Sequence, residues 1–186
     1  MLYLASKSPR RRELLKMLDV PFEIVEGREV EENFPADLTA EEVPAFLSRL
    51  KATAYLPDLK DGDILITADT IVLLEGEIIG KPRTLDDART MLHKLSGKTH
   101  KVITGVSLTS IKKSATFSVV TDVEFASLSD DDINYYVSAY RPLDKAGAYG
   151  IQEWIGAVGV AGIRGSFYNV MGLPVHRLHK ELQAFQ

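Results

Sequence analysis

The sequence predicts an α/β fold, a mixed twisted β-sheet flanked by helices and arranged in two lobes. Three observations predict it. Helical and extended patterns alternate through the first hundred residues. Two long alternating stretches follow, residues 99–109 and 115–128, and the polar turn Lys112-Lys113-Ser114 pairs them antiparallel. An amphipathic stretch with Val175, Leu178 and Leu182 then closes the chain as a helix. At 186 residues the chain suits a single domain, residues 1–186, with a sizeable core.

Taken in order, residues 1–5 read as a short buried strand and Ser6 to Ser8 as a turn. Ser8 is a good N-cap and Pro9 suits the first helical position, where an N–H would be an orphan anyway. Leu14, Leu15 and Leu18 give that helix its core stripe. Residues 21–25 alternate as a strand. Thr39-Ala40-Glu41-Glu42 reads as a capping box opening a second helix, with Val43, Phe46, Leu47 and Leu50 inward. Asp63-Ile64-Leu65-Ile66-Thr67-Ala68-Asp69 reads as a central strand that ends in an acid, followed by a second apolar run, residues 70–74. Glu75-Gly76-Glu77 makes a hairpin connection to residues 78–80. Thr84 caps a third helix (Ala88, Met91, Leu92, Leu95) and Ser129 a fourth, whose aspartates 130–132 suit the helix dipole. Residues 140–152 read as irregular, and residues 154–165 as a Gly- and Val-rich stretch.

Composition narrows the function. The net charge of −4 gives no global attraction to nucleic acid or anionic membrane, so any polyanion site must be local. The absence of cysteine excludes disulfides and thiolate catalysis. The four histidines are scattered, and only His176 and His179 lie close, without zinc-helix spacing. No secretory leader or membrane span is expected, which fits a cytoplasmic protein.

The first helical turn carries Arg10, Arg11 and Arg12 directly after Ser6 and Ser8. A solvated face is one reading. The other is an anion site, since cations are misplaced at a helix N-terminus unless an anion joins them, and backbone N–H groups, hydroxyls and guanidinium forks all suit a polyphosphate. Neither a P-loop nor a dinucleotide fingerprint is present. Glu26, Glu29, Glu31 and Glu32 form either a solvated loop or a source of carboxylates for Mg²⁺. Lys51 falls at the edge of the second helix's buried face, as a snorkelling residue or a functional one. Asp69 is either a strand-terminating acid or a group placed in a ligand crevice. Thr70 is a strand former or a polar contact. Gly80 permits close backbone approach and Lys81 supplies a point charge. Asp144 and Lys145 form a local ion pair, or part of a backbone that hugs a ligand.

Four ordered blocks resemble the Maf family of nucleoside triphosphate pyrophosphatases: Leu4-Ala5-Ser6-Lys7-Ser8-Pro9-Arg10-Arg11, Ala68-Asp69-Thr70-Ile71-Val72, Gly80-Lys81-Pro82 and Asp144-Lys145-Ala146-Gly147-Ala148-Tyr149-Gly150-Ile151-Gln152. The resemblance runs from Leu4 to about Pro174. One departure is Arg141, where the family commonly has an acid. The resemblance implies two lobes around a nucleotide-binding cleft, as in inosine triphosphate pyrophosphatases. It implies water attack at the α-phosphorus of dTTP or UTP, with modified pyrimidine triphosphates as further substrates, in a house-cleaning role. Asp69 is then catalytic, and Glu32 and Asp69 hold Mg²⁺ or Mn²⁺. Ser6, Ser8, Arg10, Arg11, Lys51, Thr70, Lys81, Asp144, Lys145 and Gln152 bind substrate. Arg10, Thr70 and Gln152 match the three positions that set base preference in the dTTP/UTP subgroup. Gln152 offers a pyrimidine edge both a donor and an acceptor. The expected partner is the nucleotide, with no stable nucleic-acid binding, no membrane, and a homodimer compatible with the reading. The rival readings are a non-enzymatic regulator of septum formation and a purine (ITP-type) triphosphate pyrophosphatase.

Overall fold

Seven strands, seven α-helices and two short 3-10 turns make up the computed structural model, which describes residues 1–185. In chain order the strands and α-helices are β1 (Leu2–Ala5), α1 (Pro9–Lys16), β2 (Glu23–Val25), α2 (Val43–Thr53), β3 (Ile64–Leu74), β4 (Glu77–Ile79) and α3 (Leu85–Leu95). There follow β5 (Thr99–Thr109), β6 (Ser114–Phe125), α4 (Asp130–Tyr140), α5 (Trp154–Gly159), β7 (Val160–Arg164), α6 (Phe167–Met171) and α7 (Val175–Phe185). The strands form one mixed sheet in the order β2-β1-β3-β5-β6-β7, with β4 paired to β3. The predicted α/β class is the observed one.

The chain divides into two compact units. The first comprises Met1–Thr70, Thr104–Val119 and the segment from Gly172. In it β1 pairs in parallel with β2 (Leu4 opposite Ile24) and with the first half of β3 (Leu4 opposite Ile66). Helix α2 lies so close to β5 that a Cβ on Gly105 would stand 2.3 Å from the backbone N of Ala45 and 2.3 Å from the carbonyl carbon of Pro44. Only glycine admits that approach. Buried hydroxyls fasten the contact: Thr67 donates to the Ser48 carbonyl at 2.7 Å, and the Ser48 and Ser107 hydroxyls lie 2.8 Å apart.

The second unit comprises Ile71–Ile103 and Val120–Met171. Its core joins α3 (Ala88, Leu92, Leu95), α4 (Ile133, Tyr136, Val137) and the segment Ala148, Tyr149 and Ile151. Both α3 and α4 open on complete capping boxes, Thr84 with Asp87 and Ser129 with Asp132. The aspartates at 130–132 thus serve as the cap and first turn of α4.

Four expectations are corrected. Helix α1 stops at Lys16, so Leu18 lies outside it. Ser8 has extended backbone as an N-cap should, yet its side chain makes no capping hydrogen bond. The Thr39–Glu42 pairing exists, with Thr39 N–H and hydroxyl both donating to the Glu42 carboxylate, but it closes a turn before α2, which begins at Val43 with Pro44 in its first turn. Asp69 does not end a strand: β3 runs unbroken from Ile64 to Leu74. The Gly- and Val-rich stretch and the residues after it form α5, β7 and α6, none of which is expected from the sequence.

Candidate active site

The strand order 2-1-3 makes the carboxyl end of β1 a topological switch point, where a parallel sheet offers a crevice. Strand β1 is only four residues long and β3 has eleven. The pairing ends near Leu4 opposite Ile66, so Asp69 and Thr70 lie past the end of β1 although they sit in mid-strand. That stagger explains two half-buried polar residues flanked on both sides by buried runs of the strand.

Asp69 receives Lys51 of α2, with Nζ 2.6 Å from Oδ1. The same ammonium lies 2.9 Å from Oε1 of Glu32. The Lys51 and Asp69 side chains are 24% and 13% exposed, so the pair is shielded well beyond an ordinary surface contact. Glu32 comes from the acidic loop, which is moored near its start: Tyr55 donates its hydroxyl to the Glu26 carbonyl at 2.7 Å, the Arg28 N–H donates to that hydroxyl at 2.6 Å, and the Arg28 guanidinium lies 4.8 Å from the centre of the Tyr55 ring. Arg28 and Tyr55 carry little signal in the sequence beyond an aromatic just after α2.

Arg11 grips the backbone around Asp69. Its Nη1 donates to the Ala68 carbonyl at 2.9 Å, its Nη2 to the Thr70 hydroxyl at 3.0 Å and its Nε to the Gly172 carbonyl at 2.8 Å. Gly172 has φ +117, a conformation open in practice only to glycine. Thr70 Oγ1 also lies 2.9 Å from the Thr104 hydroxyl, a neighbour missing from the sequence reading. Ser6 is buried, and its hydroxyl accepts the Ser8 N–H at 3.1 Å. Arg12 donates to the Ser6 carbonyl at 3.2 Å. Arg10 is half-buried in the first turn of α1. The structure therefore ties together Arg11, Glu32, Lys51, Asp69 and Thr70, and separately links Ser6 and Ser8.

In the second unit Lys145 is the buried centre of a small network. Its Nζ lies 2.8 Å from Asp144 Oδ1 and 3.2 Å from Glu153 Oε1. Tyr136 donates to the other oxygen of Glu153 and accepts the Gly150 N–H at 2.9 Å. Burial and the Glu153 carboxylate both push the Tyr136 phenol upward, so it stays a donor. Glu153 directly follows Gln152 but carries no motif of its own in the sequence. The loop of Lys81 joins this segment through the Gly147 N–H, which donates to the Gly80 carbonyl at 3.0 Å. Lys81 and Gln152 are exposed. A Cβ on Gly80 would meet nothing within 4 Å, so its surroundings in this structure set no steric demand for glycine. A cavity of about 370 Å³ in the same unit is lined by Thr99, Asp122, Glu124, Gly162, Ile163 and Arg164, and holds none of the expected site residues.

The donor set fits a divalent metal that keeps other ligands. No group of three or more acids and histidines with metal-holding geometry occurs among the described residues. Glu32 and Asp69 nevertheless converge on one cation, the Lys51 ammonium, which stands in for a bound ion. Two carboxylates are what Mg²⁺ takes from a protein when phosphates and waters complete its shell.

Comparisons with known proteins extend this picture. The sequence profile of the family described as Maf-like protein matches residues 1–185. A protein of Phocaeicola vulgatus named dTTP/UTP pyrophosphatase is 56% identical over 180 residues, covering 97% of this chain and 93% of that one. One of the same name from Bacteroides thetaiotaomicron is 52% identical over 180 residues, with the same coverage of 97% and 93%. Among solved structures, the Ham1 protein of Staphylococcus aureus superposes with a TM-score of 0.58 at 17% identity, over 100% of this chain and 99% of its own. A HAM1 protein from Coxiella burnetii gives 0.52 at 16% identity, over 98% of each chain. These two structures share the fold.

Proposed function

The chain belongs to the Maf-like protein family, and from that membership we infer that it is a nucleoside triphosphate pyrophosphatase acting on dTTP and UTP. One observation carries the site assignment: two carboxylates, Glu32 and Asp69, converge on a single cation beside the switch point of a parallel sheet. A binding module has no need of an acid pair there, because carboxylates repel a polyphosphate unless a cation intervenes.

In this reading Asp69 accepts a proton from the attacking water, and Glu32 and Asp69 hold Mg²⁺ or Mn²⁺. The metal, when bound, supplies positive charge to the phosphoryl oxygens. Water attacks the α-phosphorus, the bond to the bridging oxygen breaks, and pyrophosphate leaves. Arg10, Lys51 and Lys81 bind phosphate oxygens, aided by the first turn of α1, where the Ser8 side chain does not act as a cap. Arg11 has committed three N–H groups to the protein, so its main part is to position Asp69 and Thr70, leaving two N–H groups for phosphate. Arg10, Thr70 and Gln152 set base preference, with Asp144 and Lys145 supporting the substrate. The cytoplasm is the proposed location, and no helix among the described residues is long and apolar enough to cross a membrane.

Pyrophosphate release from dTTP, UTP, ITP and 7-methylguanosine triphosphate, each with Mg²⁺ or Mn²⁺, tests this reading. The expected result is metal-dependent release that favours dTTP and UTP, and a changed ranking in Gln152→Glu, which loses the amide donor and gains a charge. A wild type that prefers ITP contradicts the pyrimidine assignment. An unchanged ranking in the variant removes Gln152 from base selection.

A further inference from the structure

We propose that Lys51 is the resident counter-ion of Glu32 and Asp69, and that a divalent metal takes over these carboxylates only when a triphosphate draws Lys51 away. The metal and the nucleotide then enter as one event, and Lys51 changes partner from carboxylate to phosphate.

The geometry is one of competition. The Lys51 ammonium lies within hydrogen-bond reach of both carboxylates, at 2.9 Å from Glu32 Oε1 and 2.6 Å from Asp69 Oδ1. A divalent ion shared by the same two oxygens needs contacts of about 2.1 Å for Mg²⁺, so it and the ammonium exclude each other from that position. The lysine side chain can leave while its helix stays in place. Its flexible four-carbon stem leaves from α2, which the close approach at Gly105 and the Ser48–Ser107 contact fix against the sheet.

Charge supplies the coupling. Lys51 balances one of the two carboxylates, and the Arg11 guanidinium, within electrostatic reach of both Asp69 and Glu32, balances the other. With Arg10 also acting on Arg11, the free cluster carries no excess negative charge. A dication added alone would leave it strongly positive in a shielded place, which Coulomb repulsion opposes. A triphosphate reverses the sign, because its oxygens accept the displaced ammonium and complete the metal's shell. Among the described residues no third acid or histidine joins this pair with metal-holding geometry, so a dedicated metal cage is not formed.

The second half of the proposal rests on the pyrophosphatase reading, while its first half concerns only the protein and the metal. Mn²⁺ is titrated into protein without nucleotide, and free Mn²⁺ is followed by its electron paramagnetic resonance signal. Lys51→Met is expected to bind Mn²⁺ about tenfold more tightly than wild type, or better, and Glu32→Gln in that background should remove the gain. Wild type should gain at least about tenfold in Mn²⁺ affinity when the non-hydrolysable α,β-imido analogue of dUTP is added, and Lys51→Met should gain clearly less. Lys51→Gln replaces Lys51→Met if circular dichroism shows the latter unfolded. The proposal is overturned if the lysine variant binds Mn²⁺ no better than wild type without nucleotide. It is also overturned if wild type binds Mn²⁺ equally well with and without the analogue. A wild type that releases no pyrophosphate, yet shows the variant's gain on Mn²⁺ alone, fells the substrate reading and leaves Lys51 as the counter-ion.

Discussion

Asp69 shows how much a single residue's surroundings add to its place in the sequence. Its neighbours in the chain are apolar or hydroxylic, while in space it meets a lysine from α2 at 2.6 Å, and Arg11 holds the residues on either side of it. Asp69→Asn keeps the shape and removes the charge. We expect turnover to fall by about 10²-fold or more, the scale of losing a general base, with nucleotide binding retained. Steady-state pyrophosphate release, together with analogue binding by calorimetry, checks both halves. Near-normal turnover in a folded variant would remove Asp69 from the chemistry. The residue scale also shows what a motif hides. Lys145 and Asp144 were legible as a pair, but the third member, Glu153, was not, because the Tyr136 hydroxyl that orients it comes from a helix seventeen residues earlier.

Among the elements, α2 and β3 decide the cluster in the first unit. Lys51 reaches Asp69 because α2 rests on backbone at Gly105, where an added Cβ would meet peptide atoms at 2.3 Å. Backbone cannot step aside as a flexible side chain can. Gly105→Ala should therefore destabilise the fold by about 2 kcal/mol or more, lowering Tm by several degrees in thermal unfolding. An unchanged Tm would show that the packing of α2 on β5 is looser than described. Helices with capping boxes and full apolar stripes, α3 and α4, were readable from sequence because local signals agree with the tertiary result. Strand β3 was divided in two because a polar pair interrupts its apolar run, and only the short length of β1 beside it reveals why those residues are tolerated. The elements α5, β7 and α6 have five or six residues each, too few for periodicity to speak.

At the scale of the whole molecule, stability carries a pH signature from a histidine that takes no part in the proposed chemistry. His100 is buried in the second unit beside Phe125, with Nε2 2.6 Å from the Tyr149 hydroxyl and Nδ1 without a hydrogen-bond partner. Burial lowers its pKa from 6.5 to about 4. The unfolded chain therefore binds this proton at a higher pH than the folded one. The neutral ring's contribution is complete above about pH 7 and is lost as pH falls from about 6.5 toward 4, amounting to about 3 kcal/mol at pH 4. Thermal unfolding of wild type and His100→Gln from pH 7 to 4.5 should show the steeper loss in wild type. Parallel curves would mean that the ring is solvated.

Class and family were legible across the whole chain, because four ordered blocks fix an identity that no one of them could. The long-range partners Thr104, Tyr55 and Glu153 were not, since each is brought to its place by folding alone. In the proposed reaction Asp69 and its neighbours direct water to the α-phosphorus of a pyrimidine triphosphate. A single turnover of dTTP in ¹⁸O-labelled water, with products resolved by mass spectrometry, tests it most directly. Attack at the α-phosphorus leaves one ¹⁸O atom in the nucleoside monophosphate and none in pyrophosphate. Label in pyrophosphate, or release of labelled orthophosphate, would contradict it.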